Sequence, residues 1–178
     1  RERIGNMSEL KFIEQIIDEK SAMLIEANDK IWEYAELAFH ETKSADLICD
    51  ILEKEAFTLT RGDAGIPTCF TGTFSYGTGK PVMGILGEYD ALAALSQKAG
   101  QTTKDPIIPG APGHGCGHNC LGVGSLAAVI AVKEYLEANK KDGTIIYFGC
   151  PAEEGAGSKQ FMARAGMFDN VDFVYTWH

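Results

Sequence analysis

Long apolar runs are scarce in this sequence. The longest uncharged apolar stretch, Leu121 to Val132, stops at Lys133, short of the ~20 residues a bilayer span needs, so no segment is expected to cross a membrane. Positive charge is also in short supply, with 16 Lys and Arg against 25 Asp and Glu and a formal net charge of -9. Such a chain repels a phosphate backbone and offers no basic stretch to follow one, which argues against nucleic acid as a partner. Its five cysteines are an odd number without the spacing of a disulfide scaffold, a pattern that fits reduced thiols. No basic segment followed by an apolar core opens the chain, and Met7-Ser8-Glu9 reads as a native start behind six extra residues, Arg1 to Asn6, so a cytoplasmic location is expected. Internal repeats, low-complexity tracts and interdomain linkers are missing too. With 178 residues, 45% of them hydrophobic and 23% charged, the chain has the size and composition of one domain with an ordinary core.

What is present is periodic. From Ser8 to about Leu37 the apolar Leu10, Ile13, Ile16, Ile17, Met23, Leu24, Ala27, Ile31, Tyr34 and Ala35 keep three-to-four spacing, which predicts one long or two abutting amphipathic helices. Glu41 to Ala56 predicts another, with Ala45, Ile48, Cys49 and Leu52 on its core face, ahead of the β-favouring Phe57-Thr58-Leu59-Thr60. Thr68 to Phe74 and Val82 to Leu86 read as strands, and the turn-rich Ser75 to Pro81 between them predicts a hairpin. Lys98 to Gly113 reads as a long loop. Then come a buried helix over Leu121 to Ala138, a strand over Thr144 to Phe148, a helix over Ser158 to Ala165 ended by Gly166, and a strand over Val171 to Trp177. This alternation predicts an α/β fold, a mostly parallel mixed sheet flanked by helices. Ending on a strand tip with no closing helix, the chain reads as the first part of a longer domain.

Ligands of open parallel sheets sit beyond the carboxyl ends of the strands. Those positions are unusually polar here: Glu88 and Asp90, then Glu153 and Glu154, then His178, with His114-Gly115-Cys116-Gly117-His118-Asn119-Cys120 leading into the buried helix. Thiolate, imidazole and carboxylate are the ligands of zinc and comparable divalent cations. In an extended segment Cys116 and His118 would point to one face, with a glycine between them that lets the backbone come close. The adjacent Glu153 and Glu154 would diverge in extended backbone, so that one can hold a cation and the other face the water that it activates; spacing leaves open which does which.

Each feature has a plainer explanation. A Glu pair taken alone is a solvated surface pair, and a terminal histidine taken alone carries nothing. The His-Cys-His-Cys run could be a structural zinc site, although its ligands are crowded compared with ordinary paired spacings; Cys120 more simply packs at the start of its helix. Cys116 beside His118 or His114 could be a catalytic thiol. Gly77-Thr78-Gly79-Lys80 imitates a phosphate loop, but Pro81 stands where a hydroxyl should follow; Gly122-Val123-Gly124-Ser125 imitates a dinucleotide fingerprint without the preceding strand.

Four motifs in order resemble one family. Gly87-Glu88-Tyr89-Asp90-Ala91-Leu92, Pro112-Gly113-His114-Gly115-Cys116-Gly117-His118-Asn119, Pro151-Ala152-Glu153-Glu154-Gly155 and Thr176-Trp177-His178 resemble the aminoacylase and carboxypeptidase G type of metallopeptidase, in the amidohydrolase branch that uses a Cys ligand. The resemblance implies two divalent metal ions, Zn or Mn, with Cys116, His118, Glu154 and His178 as ligands, Glu153 as general base, and Asp90 and His114 orienting a ligand or lying beside the metals. It implies hydrolysis of the amide bond of an N-acyl amino acid, for this branch p-aminobenzoyl-glutamate or a related compound, and an oligomeric full-length protein, with a homologous A-type subunit as a partner. The family's Asp-Ala-Leu-Pro reads Asp90-Ala91-Leu92-Ala93 here. Relatives continue into a lid domain and return to supply one more His ligand, so residues 7–178 correspond to the N-terminal part of the catalytic domain. A rival reading is a metal-binding or interaction module without catalysis.

Overall fold

The computed structural model describes residues 8–178; the expected native start at Met7 and the six residues before it lie outside that range. Ser8 caps α1 (Glu9–Tyr34), its hydroxyl accepting from the Lys11 amide, a favourable way to satisfy an orphan N–H of the first turn. The expected pattern runs through as one helix until Ala35, in the left-handed region, ends it. Next comes α2 (Thr42–Lys54), whose free amides at Lys43 and Ser44 are taken by the Glu36 carboxylate. The remaining elements are β1 (Thr58–Arg61), a short 3-10 turn (Asp63–Gly65), β2 (Phe70–Tyr76), β3 (Val82–Glu88), α3 (His118–Asn139), β4 (Gly143–Cys150), α4 (Glu153–Ala156), α5 (Ser158–Arg164) and β5 (Phe173–Tyr175).

The five strands form one mixed sheet flanked by helices, in the order β1-β2-β4-β3-β5. β4, β3 and β5 run parallel, as the alternation in the second half requires, and β1 and β2 complete the sheet antiparallel. The expected hairpin between β2 and β3 does not form, because β4 lies between them and pairs β2 over its whole length, Phe70↔Gly149 to Tyr76↔Gly143. The turn-rich link bonds to the start of β4 instead of closing on itself: Thr78 donates to Asp142 at 2.7 Å and Thr144 donates to the Gly79 carbonyl at 2.8 Å. Burial explains the arrangement. Leu86, Ile145, Tyr147 and Phe148 bury side chains on both sheet faces, so β3 and β4 belong at the centre.

On one face α1, α2 and α3 pack a core of Ile31, Ile48, Leu52, Leu126, Ile130, Ile145 and Tyr147. On the other, Met162 of α5 packs with Leu86, Phe148, Cys69 and Cys150. Cys49 sits in the first core, as its helical position predicts. By length and composition α3 could cross a membrane; here its apolar side chains are the centre of the core, and Lys133 is held by Glu137 at 2.9 Å beside the Phe74 ring.

α3 begins three residues earlier than its apolar pattern indicates, at His118 behind a left-handed Gly117. Cys116 and His118 are therefore not neighbours on an extended segment; they sit on either side of a sharp backbone turn. Glu153 and Glu154 likewise open the short α4 behind a left-handed Ala152, rather than lying in extended chain. Cys120 is exposed on the first turn of α3 and does not pack.

Candidate metal centre

Parallel pairing of β3 and β4 puts Glu88 level with Cys150, so the two strands deliver Glu88-Tyr89-Asp90 and Pro151-Ala152-Glu153-Glu154 to one edge. The start of α3 comes down on the same edge. Gly122 permits this: a Cβ there would stand 2.5 Å from the Glu88 carbonyl oxygen, so only glycine lets α3 lie this close to the end of β3.

His118, fully buried, is the hub. Its Nδ1 lies 2.9 Å from Asp90 Oδ1, and Asp90 Oδ2 accepts the Glu154 amide at 2.9 Å. One buried carboxylate thus fixes both the imidazole and the acidic turn. Burial alone would raise the Asp90 pKa, but the hydrogen bonds from His118 and the Glu154 amide outweigh it and hold the carboxyl below its ordinary value. Burial lowers the His118 pKa, and Asp90, Glu88 and Glu154 more than offset this, leaving the imidazole above its ordinary value.

With Nδ1 committed to Asp90, Nε2 of His118 is free, and acidic oxygens converge on it: Glu88 Oε2 at 3.1 Å, Glu153 Oε2 at 3.7 Å and Glu154 Oε1 at 3.9 Å. His118 Nε2, Glu88 Oε2 and Glu154 Oε1 are all buried, and none has a hydrogen-bond partner among the described residues. Close approach without bonding geometry is how ligands stand around a shared cation, and buried polar atoms otherwise find partners. Among the described residues the donor atoms fall into two sets, Cys116–His118–His178 and Glu88–His118–Glu153–His178, each with all its atoms within 4.8 Å of one another. A thiol, imidazoles and carboxylates suit zinc or manganese by their donor chemistry.

His178 is brought in by its neighbour. Trp177 lies over Gly124, where a Cβ would stand 2.7 Å from its ring, and its Nε1 donates to Ser125 Oγ at 3.0 Å. Ser125 in turn donates to the Leu86 carbonyl. His178 Nε2 then lies 3.0 Å from Cys116 Sγ and its Nδ1 3.4 Å from Glu88 Oε2. The glycine run that imitates a nucleotide fingerprint is therefore a packing device for β3 and Trp177.

The structure brings Cys116, His118, Glu153, Glu154, His178 and Asp90 together, but Glu153, expected as the base, belongs to the second donor set, while Glu154, expected as a ligand, belongs to neither and lies 3.9 Å from His118 Nε2. His114 stands apart, its Nε2 2.9 Å from the Ile31 carbonyl, and neither it nor Cys120 belongs to a donor set, so the His-Cys-His-Cys run does not form a single four-ligand site. Loss of water, then the hydrogen bond to Glu154 and the charges of Glu154, Glu153 and Glu88, push the Cys116 pKa up in the metal-free chain, which favours the thiol as a member of its donor set over a free nucleophilic thiolate.

Sequence reasoning gave no role to Glu88 or to Glu41. Glu41 is fully buried just before α2; its Oε1 accepts the Ala152 amide at 2.7 Å and its Oε2 accepts the Thr68 hydroxyl at 3.1 Å. It thereby holds the left-handed Ala152 (φ 54) that turns the chain into Glu153. Glu88 had a signal, its place at a strand end; Glu41 had none.

Among characterised proteins, the chain is 46% identical over 168 residues to one of the subunits of p-aminobenzoyl-glutamate hydrolase of Escherichia coli K12, covering 94% of this chain and 34% of that one. Two solved structures share the fold. One is a protein of methicillin-resistant Staphylococcus aureus described as an aminohydrolase, with TM-score 0.76, 24% identity, and coverage of 94% of this chain and 41% of that one. The other is a Bacillus subtilis protein described as a dinuclear metal-binding peptidase, with TM-score 0.69, 23% identity, and coverage of 86% and 41%. The chain spans about a third of the length of the curated relatives it matches. Residues 84–178, which carry every member of the cluster, match the model of peptidase family M20/M25/M40, and the chain belongs to that family.

Proposed function

We propose that this chain forms the metal-holding part of a metal-dependent amidohydrolase that splits an N-acyl amino acid, with p-aminobenzoyl-glutamate, the compound named in its 46%-identical relative, as the first substrate to test. The observation that carries the reading is the set of buried, unpartnered ligand atoms around His118 Nε2. In this reading Cys116, His118, Glu154 and His178, joined by Glu88 from the second donor set, would hold two divalent ions, the number described for the Bacillus subtilis neighbour. Such ions supply Lewis acidity to the scissile carbonyl and lower the pKa of water.

The chain's own residues do the rest. Asp90 fixes the His118 tautomer and the backbone of Glu154 together, the outer support that metal-binding histidines require. Glu153, partly exposed and 3.7 Å from His118 Nε2, takes the proton of the attacking water and returns it to the leaving amine. Since the relative is named as a subunit, assembly of the full-length protein with a homologous second subunit belongs to the same reading, as does a cytoplasmic location.

The test is Glu153→Gln in the full-length protein, assayed with p-aminobenzoyl-glutamate alongside elemental analysis. Retained metal with turnover reduced at least about 100-fold is expected of a lost general base. Turnover near wild type would remove Glu153 from that role, and absence of metal from the wild-type protein would end the amidohydrolase reading.

A further inference from the structure

Lys159 is the residue the cluster does not explain. It lies in the first turn of α5, with its side chain 31% exposed, and it pairs with a Glu88 side chain that is 1% exposed. α5 is fixed by Met162, which packs with Leu86 and Phe148 of β3 and β4, the strands that also position Glu88. The lysine is thus delivered to Glu88 by the sheet rather than reaching it by chance. Its ammonium takes Oε1, while Oε2 stays without a hydrogen bond, 3.1 Å from His118 Nε2 and 3.4 Å from His178 Nδ1.

We propose that Lys159 is a positioning residue for the metal centre: by engaging one oxygen of Glu88 it restricts that carboxylate to offering a single oxygen, Oε2, to a cation. This rests on the metal-centre reading above. A carboxylate with both oxygens free can swing about its terminal torsion and embrace a cation with both, closing a position that substrate or water needs. Lysine suits the restraint, since its ammonium is a compact charge that satisfies one oxygen and repels a cation from that side. Removing it has a consequence opposite to that of an ordinary structural lesion: the cation should bind more tightly.

The experiment titrates Mn2+ into the metal-free full-length protein by calorimetry, for wild type, Lys159→Met, Lys159→Arg, Glu88→Gln and the Lys159→Met/Glu88→Gln pair, with unfolding midpoints of the metal-free forms as the folding control. Expected is a Mn2+ dissociation constant lowered about tenfold in Lys159→Met, opposite in direction to the roughly 10–100-fold weakening that loss of an ordinary outer support causes. Lys159→Arg should stay near wild type, and Lys159→Met should change nothing once Glu88 is Gln. Lys159→Gln gives the same test should the methionine variant fold poorly. Unchanged or weaker Mn2+ binding in folded Lys159 variants, or tightening that persists without Glu88, would overturn the inference while leaving the metal centre intact. Failure of the wild-type protein to bind Mn2+ or Zn2+ would overturn both.

Discussion

Asp90 and His118 are joined through a 2.9 Å contact between Oδ1 and Nδ1, with both side chains buried, and the second Asp90 oxygen accepts the Glu154 amide. The pair decides which imidazole nitrogen faces the cluster. Asp90→Asn keeps the shape but frees the ring to turn, and cation affinity should fall about 10–100-fold, read by titration of the metal-free full-length protein. An unchanged dissociation constant would show that packing alone orients His118.

The same pair sets a pH dependence in the metal-free protein. Asp90 has a lowered pKa, so its contribution to stability is present above the ordinary Asp value and is lost as pH falls through the lowered one. His118 has a raised pKa, so its contribution is complete below the ordinary His value and is lost as pH rises through the raised one. The stability difference between wild type and Asp90→Asn should peak between the ordinary values, about 4 and about 6.5, in urea unfolding with chelator present. A difference that grows steadily towards alkaline pH would contradict the assignment.

Gly122→Ala places a methyl 2.5 Å from the Glu88 carbonyl oxygen. Alanine gains about 1 kcal/mol in helix propensity, but backbone cannot retreat as a flexible side chain can. The net expectation is destabilisation of about 1–3 kcal/mol, with weaker cation binding as His118 moves from Glu88. Denaturant unfolding checks this, and a variant as stable as wild type would mean that α3 can slide.

Trp177→Phe keeps an aromatic ring over Gly124 and removes the 3.0 Å bond to Ser125. Cation affinity should drop several-fold as His178 loosens, and Ser125→Ala should do the same. Because one bond is involved, the double variant should be no worse than either single one. Additive losses would place the effect elsewhere.

Cys116 is exposed, yet its pKa is raised. Iodoacetamide should therefore label it more slowly at about pH 7 than a free cysteine thiol, faster with rising pH, and hardly at all once Zn2+ or Mn2+ is bound. Rapid labelling at neutral pH would favour the thiol-enzyme alternative. The peptide carrying Cys116, followed by mass spectrometry, also holds Cys120 as an exposed internal comparison.

Helices and strands with a clean period were legible in the residues, because burial on one face writes its spacing into the chain: α1, α2, β3 and β4 all lie where the pattern indicates. Strand-end chemistry was legible for the same topological reason, which is why Asp90, Cys116, His118, Glu153, Glu154 and His178 could be named from the residues alone. The start of α3 was not, since His118 and Asn119 are polar residues buried by the site and not by an apolar stripe.

Sequence alone determined the candidate donor types, their order and the family they resemble, since those depend on residue identity. Tertiary structure decided that β4 would separate β2 from β3, that Glu41 would brace Ala152 across 111 positions of chain, and that Glu88 would share one carboxylate between Lys159 and the histidines. Each is a long-range pairing set by how the sheet and its helices pack, and such pairings leave no local period to read.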